Sequence, residues 1–528
     1  MVKTNILIVL LTFLGLSLYA QNRYMVYFTD KENSPYSINS PEAFLSQKSI
    51  NRRLAQSITI DESDLPVNPA YVQGVQNLGV ATYYRSKWLN GVFIETQPSS
   101  LESILALDYV ESIVLLAPGT KLGRIGSAAS ENEQQKEQAE TDLQLEMMGL
   151  NKLHNEGYKG EEMYVAVFDG GFSGYSQISG MENVSVHQLK YSYNFVSNSS
   201  SVNAGSDHGT KVLSIMAGEI AGEFTGSAHR ADYMLCITED ISGEYTIEEY
   251  NWLVAAERAD SAGVDIINSS LGYFDFDDSS MNYIPEDFDG ETTIIAKAAN
   301  FATSKGMLVV VSVGNEGNSY WGYITSPADA TNVISVGSIT TDYSLSGFSS
   351  SGPTEDGRIK PELVALGSGT TFLSSSGITS GSGTSFATPL VAGFATCLWQ
   401  KYRDLSAAEI RAMMLANASQ SSDPENGFGY GVPNYNNIIS GNEKAVDQQA
   451  FLVYPNPLLG DEITIRAAEF KGDAQVSIYS VNGALSFEKP IYLNGNEDFN
   501  LKVNLSKGIY LMKIVMADQT YQSKLIKY

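Results

Sequence analysis

The chain has 528 residues, 43% of them hydrophobic, and its 60 acidic against 33 basic side chains give a formal net charge of -27. That length exceeds one core and implies three or four domains of roughly 150 residues each, while the acidic balance excludes a nucleic-acid surface. Two cysteines, Cys236 and Cys397, exclude a disulfide-framed scaffold, and only four histidines are present to serve as a neutral-pH base.

Lys3 precedes an apolar run over 6–18 that ends at Tyr19-Ala20, which predicts a secretory signal peptide over 1–20 and an exported mature chain. The run is shorter than the roughly 20 apolar residues that a membrane span requires. Residues 21–118 read as a strand (24–29), a helix (41–55), two strands (81–85 and 91–96), a helix (99–107) and a strand (110–116). That order predicts a small ferredoxin-like split βαβ unit, and no cluster in it looks catalytic. Residues 119–141 are rich in Gly, Ser, Glu and Gln and predict an exposed, cleavable linker.

From 142 to 437 near-continuous apolar strands (163–168, 232–237, 265–268, 307–313, 332–336) alternate with helices (208–217, 246–262, 292–305). This predicts a parallel α/β sheet covered on both faces, with its chemistry just beyond the carboxyl ends of the strands. Four residues fall at such places. Asp169 follows the first strand, and His208 stands in Asp207-His208-Gly209-Thr210 before a helix of small residues. Asn315 stands in Gly314-Asn315-Glu316-Gly317 after a strand, and Ser385 in Gly383-Thr384-Ser385-Phe386-Ala387-Thr388-Pro389 opens a helical run. Each alone is an ordinary turn, cap or loop residue. Together they supply a nucleophile, a base, an acceptor that orients the base and donors for an oxyanion.

In this order the motifs resemble those of the subtilisin-like (subtilase) serine endopeptidases. The resemblance covers about 142–437 and implies a three-layer α/β fold. It implies a triad of Asp169, His208 and Ser385, and an oxyanion hole formed by Asn315 and the Ser385 N–H. It makes Ser269-Ser270-Leu271-Gly272 the edge to which an extended peptide substrate adds as a strand. Gly352-Pro353 and Lys360-Pro361-Glu362-Leu363 are weaker matches. Gly170 departs from the family's usual Ser or Thr after the aspartate, and Ala365-Leu366-Gly367 lacks its usual Pro. An acidic insertion over 274–291 raises the question of structural Ca²⁺, which many relatives bind. It lacks the spacing of a known calcium loop, so a solvated loop is expected and no cofactor is required. The same resemblance makes 21–118 a propeptide, a chaperone and inhibitor whose tail lies in the active-site cleft.

Residues 438–449 form a polar linker, and 450–528 carry short alternating strands (463–467, 475–481, 484–487, 501–505, 508–515, 519–527) with a hairpin signal at Asn482-Gly483. They predict a small antiparallel β-sandwich. Tyr454-Pro455-Asn456-Pro457, Leu505–Tyr510 and Lys524–Tyr528 resemble type IX secretion C-terminal sorting domains, which implies passage across the outer membrane of a Gram-negative bacterium. The expected protein is a secreted or surface-held, self-processing zymogen. Its expected partners are polypeptide substrates, its own propeptide and the secretion machinery, with no nucleic acid. Two rivals are an inactive subtilase-like binding protein and an adhesin whose identity lies in the terminal sandwich; the first would lack a triad member.

Overall fold

Apolar runs such as Leu-Val-Val-Val-Ser, buried at all five positions of Leu308–Ser312, build the central sheet. In the computed structural model its seven strands lie in the order Leu363–Leu366, Ile334–Ile339, Leu308–Ser312, Ile266–Ser269, Tyr164–Asp169, Asp232–Ile237, Leu189–Asn194. Every pairing is parallel. Residues 21–119, 134–135, 141–444, 451–458, 460–467, 471–480, 485–495, 497–516 and 519–527 are described. The predicted signal peptide, most of the predicted linker over 119–141 and the Asn482-Gly483 hairpin signal lie outside them.

Successive side chains of a strand point to opposite faces, and at the end of Tyr164–Asp169 this sorts structure from chemistry. Phe168 packs edge-on against Trp252 of the helix Ile247–Ala262, with ring centroids 5.4 Å apart. Asp169, one residue on, faces the helix His208–Ala217. That helix packs with Thr384–Lys401, and Ile247–Ala262 packs with Ile294–Ser304. The sheet order sets the carboxyl ends of four adjacent strands along one rim. The sequence reading did not predict either edge strand, Leu189–Asn194 or Leu363–Leu366, nor the antiparallel hairpin Ser368–Ser374 with Gly377–Ser382 that leads into Ser385.

The N-terminal strands form an antiparallel sheet ordered Ala81–Ser86, Gly91–Thr96, Asn22–Phe28, Val110–Ala117. Its period-two pattern makes two apolar faces. Tyr24, Val26, Phe28, Val92 and Ile94 pack with Val67, Val72, Val75 and Ile104, whereas Met25, Phe93 and Leu116 join the core that holds Tyr250, Leu253 and Ala256. The predicted helix 41–55 needs correction. It is a 3-10 turn, Pro41–Ala43, followed by the helix Gln47–Ala55, whose sequence has no apolar stripe to cover a sheet. That covering role belongs to Pro69–Asn77, capped by Asn68 with Pro69 at its first position. The predicted linker is also not wholly irregular, because Gln134–Gln135 pairs antiparallel with Thr379 and Ser380.

The chain folds as two units, the second beginning at Tyr435. Taken by itself, the second opens with the helix Tyr435–Lys444, where a polar linker was predicted from 438. Two antiparallel sheets follow, ordered Phe451–Tyr454, Glu462–Ala467, Asp498–Lys502 and Leu485–Asn494, Lys471–Ser480, Gly508–Met516, Gln519–Lys527. Ile463, Ile465 and Leu501 of one sheet share a core with Val476, Ile478, Met512 and Ile514 of the other, which makes a β-sandwich.

Candidate active site

Asp169 is fully buried at the end of its strand. Its carboxylate accepts from the Gly170 N–H at 2.8 Å and lies 2.9 and 3.0 Å from His208 Nδ1. With the carboxylate on Nδ1–H, Nε2 is the ring nitrogen left to accept a proton. The close approach depends on Gly209. A Cβ there would stand 2.4 Å from the Gly171 carbonyl oxygen and 2.8 Å from both Cβ and Cγ of Asp169, so only glycine lets the helix start against the aspartate. The His208 N–H donates to Ser206 Oγ at 3.0 Å, which fixes the helix entry.

Ser385 is the second residue of Thr384–Lys401, and Pro389 stands four residues beyond it inside that helix. Proline has no N–H, so the Ser385 carbonyl loses its helical donor. Ser270 replaces it: its Oγ donates to that carbonyl at 2.9 Å, while Ser385 Oγ donates to the Ser270 carbonyl at 3.4 Å. Asn315 Oδ1 accepts from the Thr384 N–H and Oγ1 at 2.9 and 3.0 Å. Those bonds engage the oxygen end of the amide and set Nδ2 beside Gly383, 3.9 Å from where a Cβ would be. Gly314 lets the preceding strand turn with a φ of +106°.

Of the predicted substrate segment, Ser269 has a different role. It pairs within the sheet to Phe168 and Val311, and its hydroxyl accepts from Trp252 Nε1 at 3.0 Å, so it anchors the segment and is not at an edge. Ser270, Leu271 and Gly272 run on past the sheet until Tyr273 pairs with Ser326 through two backbone bonds of 2.9 and 3.1 Å. Sequence reasoning missed Thr325. A Cβ at Gly272 would stand 2.0 Å from its Oγ1 and one at Gly314 2.9 Å from its Cγ2, so Thr325 fills the gap between those segments. Ser270 as a partner of the Ser385 carbonyl was also missed, although a proline inside a helix signals a carbonyl that needs an outside donor.

The acidic insertion is folded, where a solvated loop was expected. Phe276, Tyr283 and Phe288 pack edge to face at 5.6 and 6.2 Å, and the Tyr283 hydroxyl donates to Glu249 Oε2 at 2.6 Å. Burial pushes the Glu249 carboxyl up to about 8. Asp278, Asp287 and Asp289 accept backbone N–H groups of their own turns. Among the described residues no group of three or more His, Cys, Asp or Glu is placed to hold a metal ion. Cys236 and Cys397 are buried and unbridged.

The N-terminal sheet docks on Ile247–Ala262 through buried charge. Asp260 accepts from Arg52 at 2.6 Å, Arg53 at 2.9 Å and Lys87 at 2.6 Å. These three cations hold its carboxyl at about 2 against the opposing effect of burial. Glu257 accepts from the N–H groups of Lys87 and Trp88 at 2.8 and 3.1 Å. The last strand, Val110–Ala117, ends against the loop that precedes this helix, where Thr246 Oγ1 donates to the Leu116 carbonyl at 3.2 Å.

Three family models match the chain: "Subtilase family" over 160–431, "Peptidase S8 propeptide domain, Bacteroidota" over 23–137 and "Secretion system C-terminal sorting domain" over 452–528. A subtilisin-like protease of Arabidopsis thaliana is 28% identical over 53% of this chain and 26% of its own length. Subtilisin DY of Bacillus licheniformis is 29% identical over 53% of this chain and 92% of its own. Subtilisin E of Bacillus subtilis is 30% identical over 53% and 65%. The chain thus spans about a quarter of the plant relative and most of the first Bacillus enzyme.

Proposed function

The chain belongs to the subtilase family, and from that premise we propose that it is a serine endopeptidase made as a self-processing zymogen. It is a secreted or cell-surface protein of a Gram-negative bacterium, with a propeptide domain and a sorting domain. The observation that carries the enzymatic reading is the buried Asp169 carboxylate on His208 Nδ1, at the same sheet rim as a serine on a helix N-terminus.

In this reading Ser385 Oγ attacks the peptide carbonyl while His208 Nε2 takes its proton. Asp169 holds the ring and stabilises the imidazolium. The oxyanion forms between Asn315 Nδ2 and the Ser385 N–H, one of the helix's first, unpaired donors. His208 then returns the proton to the leaving amine, and water repeats the sequence on the acyl-enzyme. Each step is complete with these groups and uses no cofactor. The substrate strand lies beside Ser270–Gly272, the propeptide occupies the same cleft before cleavage, and the terminal sandwich engages the secretion machinery.

Purified processed enzyme should hydrolyse casein and bind a fluorophosphonate covalently, and Ser385→Ala should lose both. Labelling that survives in Ser385→Ala removes Ser385 from this role.

A further inference from the structure

We propose that Thr325 fills the space that would take the side chain of the residue on the acyl side of the scissile bond, so that this chain selects glycine, alanine or serine there and excludes larger residues. This rests on the endopeptidase reading above and adds a substrate class to it.

The position follows from that reading. The acyl residue lies beside Ser270–Gly272 and sets its carbonyl oxygen between Asn315 Nδ2 and the Ser385 N–H. Its Cα then stands between the segment that ends at Gly272 and the turn at Gly314, the residue before Asn315. Side chains of an extended strand stand across its length, and the space in front of this one is the gap between the two glycines. Neither wall of that gap carries a side chain of its own.

Thr325 takes the gap instead. A Cβ on Gly272 would stand 2.0 Å from Thr325 Oγ1 and 2.8 Å from its Cβ. A Cβ on Gly314 would stand 2.9 Å from Thr325 Cγ2 and 3.0 Å from its Oγ1. The γ atoms of one threonine therefore reach both walls, and the residue is 3% exposed.

The threonine is pinned where it stands. Its N–H donates to the Val313 carbonyl at 3.1 Å, on the Gly314 side. Ser326, next in the chain, exchanges backbone bonds of 2.9 and 3.1 Å with Tyr273, on the Gly272 side. The wall at Gly314 is held as well. Its carbonyl accepts from the Ser350 N–H at 3.0 Å, and Ser350 Oγ accepts from the Glu316 N–H at 2.9 Å. A packed space that cannot widen discriminates by volume, because added methylenes force displaced side chains and backbone. In an enzyme pocket one methylene is worth roughly 10–200-fold in kcat/KM. Glycine, alanine and serine ask for little depth, whereas leucine and phenylalanine need the volume that the γ atoms of Thr325 hold.

The test uses processed enzyme and peptides that differ only at the first acyl-side position. In wild type, alanine should exceed leucine and phenylalanine by about tenfold or more in kcat/KM. Thr325→Ala, which removes both γ atoms, should lower the alanine-to-leucine ratio at least about fivefold, and Thr325→Val, which conserves their volume, should keep it. Thr325→Ser removes the γ-methyl alone and should lower the ratio at least about twofold, which keeps the test open if the alanine variant does not fold. Ser385-dependent cleavage in wild type with leucine equal to or above alanine overturns the size limit and leaves the endopeptidase reading standing. A wild-type ratio that persists in Thr325→Ala and Thr325→Ser, both still labelled by a fluorophosphonate, removes Thr325 from the role. Failure to cleave any peptide in a Ser385-dependent way overturns both readings.

Discussion

Pro389 shows how one absent N–H organises the surroundings of Ser385. It frees the Ser385 carbonyl, which then takes the Ser270 hydroxyl and ties the helix Thr384–Lys401 to the segment Ser270–Gly272. Ser270→Ala should leave that buried carbonyl without a donor at a cost of about 1–3 kcal/mol. A lower thermal midpoint and lower turnover should follow; unchanged values for both would show that the bond is dispensable. Asn315→Ala tests a different quantity. It should fold normally and lose about 10²–10³-fold in turnover with little change in KM, because the amide meets the oxyanion and not the ground state. Turnover within threefold of wild type would make Asn315 a loop residue only. Asp169, His208, Asn315 and Ser385 were legible because each stands in a short motif whose residue types the chemistry requires. Ser270 was not, because it acts through a bond spanning 115 residues.

Among the elements, Ile247–Ala262 carries the most. It covers the central sheet, and its Glu257 and Asp260 receive the N-terminal domain. Asp260→Asn should leave Arg52 and Lys87 without their buried carboxylate while Arg53 keeps Asp64 at 2.6 Å, and losing one partner of a buried pair costs about 3–5 kcal/mol. Added as a separate chain, residues 21–118 should therefore inhibit processed Asp260→Asn enzyme at least about a hundredfold more weakly than wild type. Equal inhibition would mean that apolar contacts alone hold the domain. Glu249, in the same helix, predicts a pH dependence. Its carboxyl rises from 4.5 to about 8 on burial, so across that window the folded chain binds a proton that the unfolded chain releases. Stability should fall as pH rises through the window. Thermal midpoints should show that slope, and Glu249→Gln should flatten it; an equal slope in the variant would assign it elsewhere. Buried strands such as Leu308–Ser312 were legible from unbroken apolar runs. The edge strand Leu189–Asn194 was not, because Leu-Lys-Tyr-Ser-Tyr-Asn mixes polar and apolar residues as an edge permits. Pro69–Asn77 carries an Asn-Pro start signal, but it is shorter than the stretch over 41–55 that reads as a helix from sequence.

At the scale of the molecule, a subtilase-family domain is joined in one chain to a propeptide domain and a sorting domain. The terminal sandwich has its own core, so deleting 450–528 should leave peptidase activity intact and keep the protein inside the outer membrane. Release of the truncated protein into the medium would end the sorting assignment. On the proposed reading, Ser385 and its neighbours cut the chain that contains them. The last strand of the N-terminal domain ends against the loop that precedes Ile247–Ala262, and in the stretch after it Gln134–Gln135 pairs with Thr379 and Ser380 of the hairpin that leads into Ser385. Because the segment is tethered, the first cut should be intramolecular and independent of enzyme concentration. N-terminal sequencing of wild type and Ser385→Ala, each purified from a host without other proteases, tests this most directly. Wild type should begin between about 118 and 141 and Ser385→Ala at or near Gln21 with the N-terminal domain attached. A Ser385→Ala chain that begins after 118 would contradict the account.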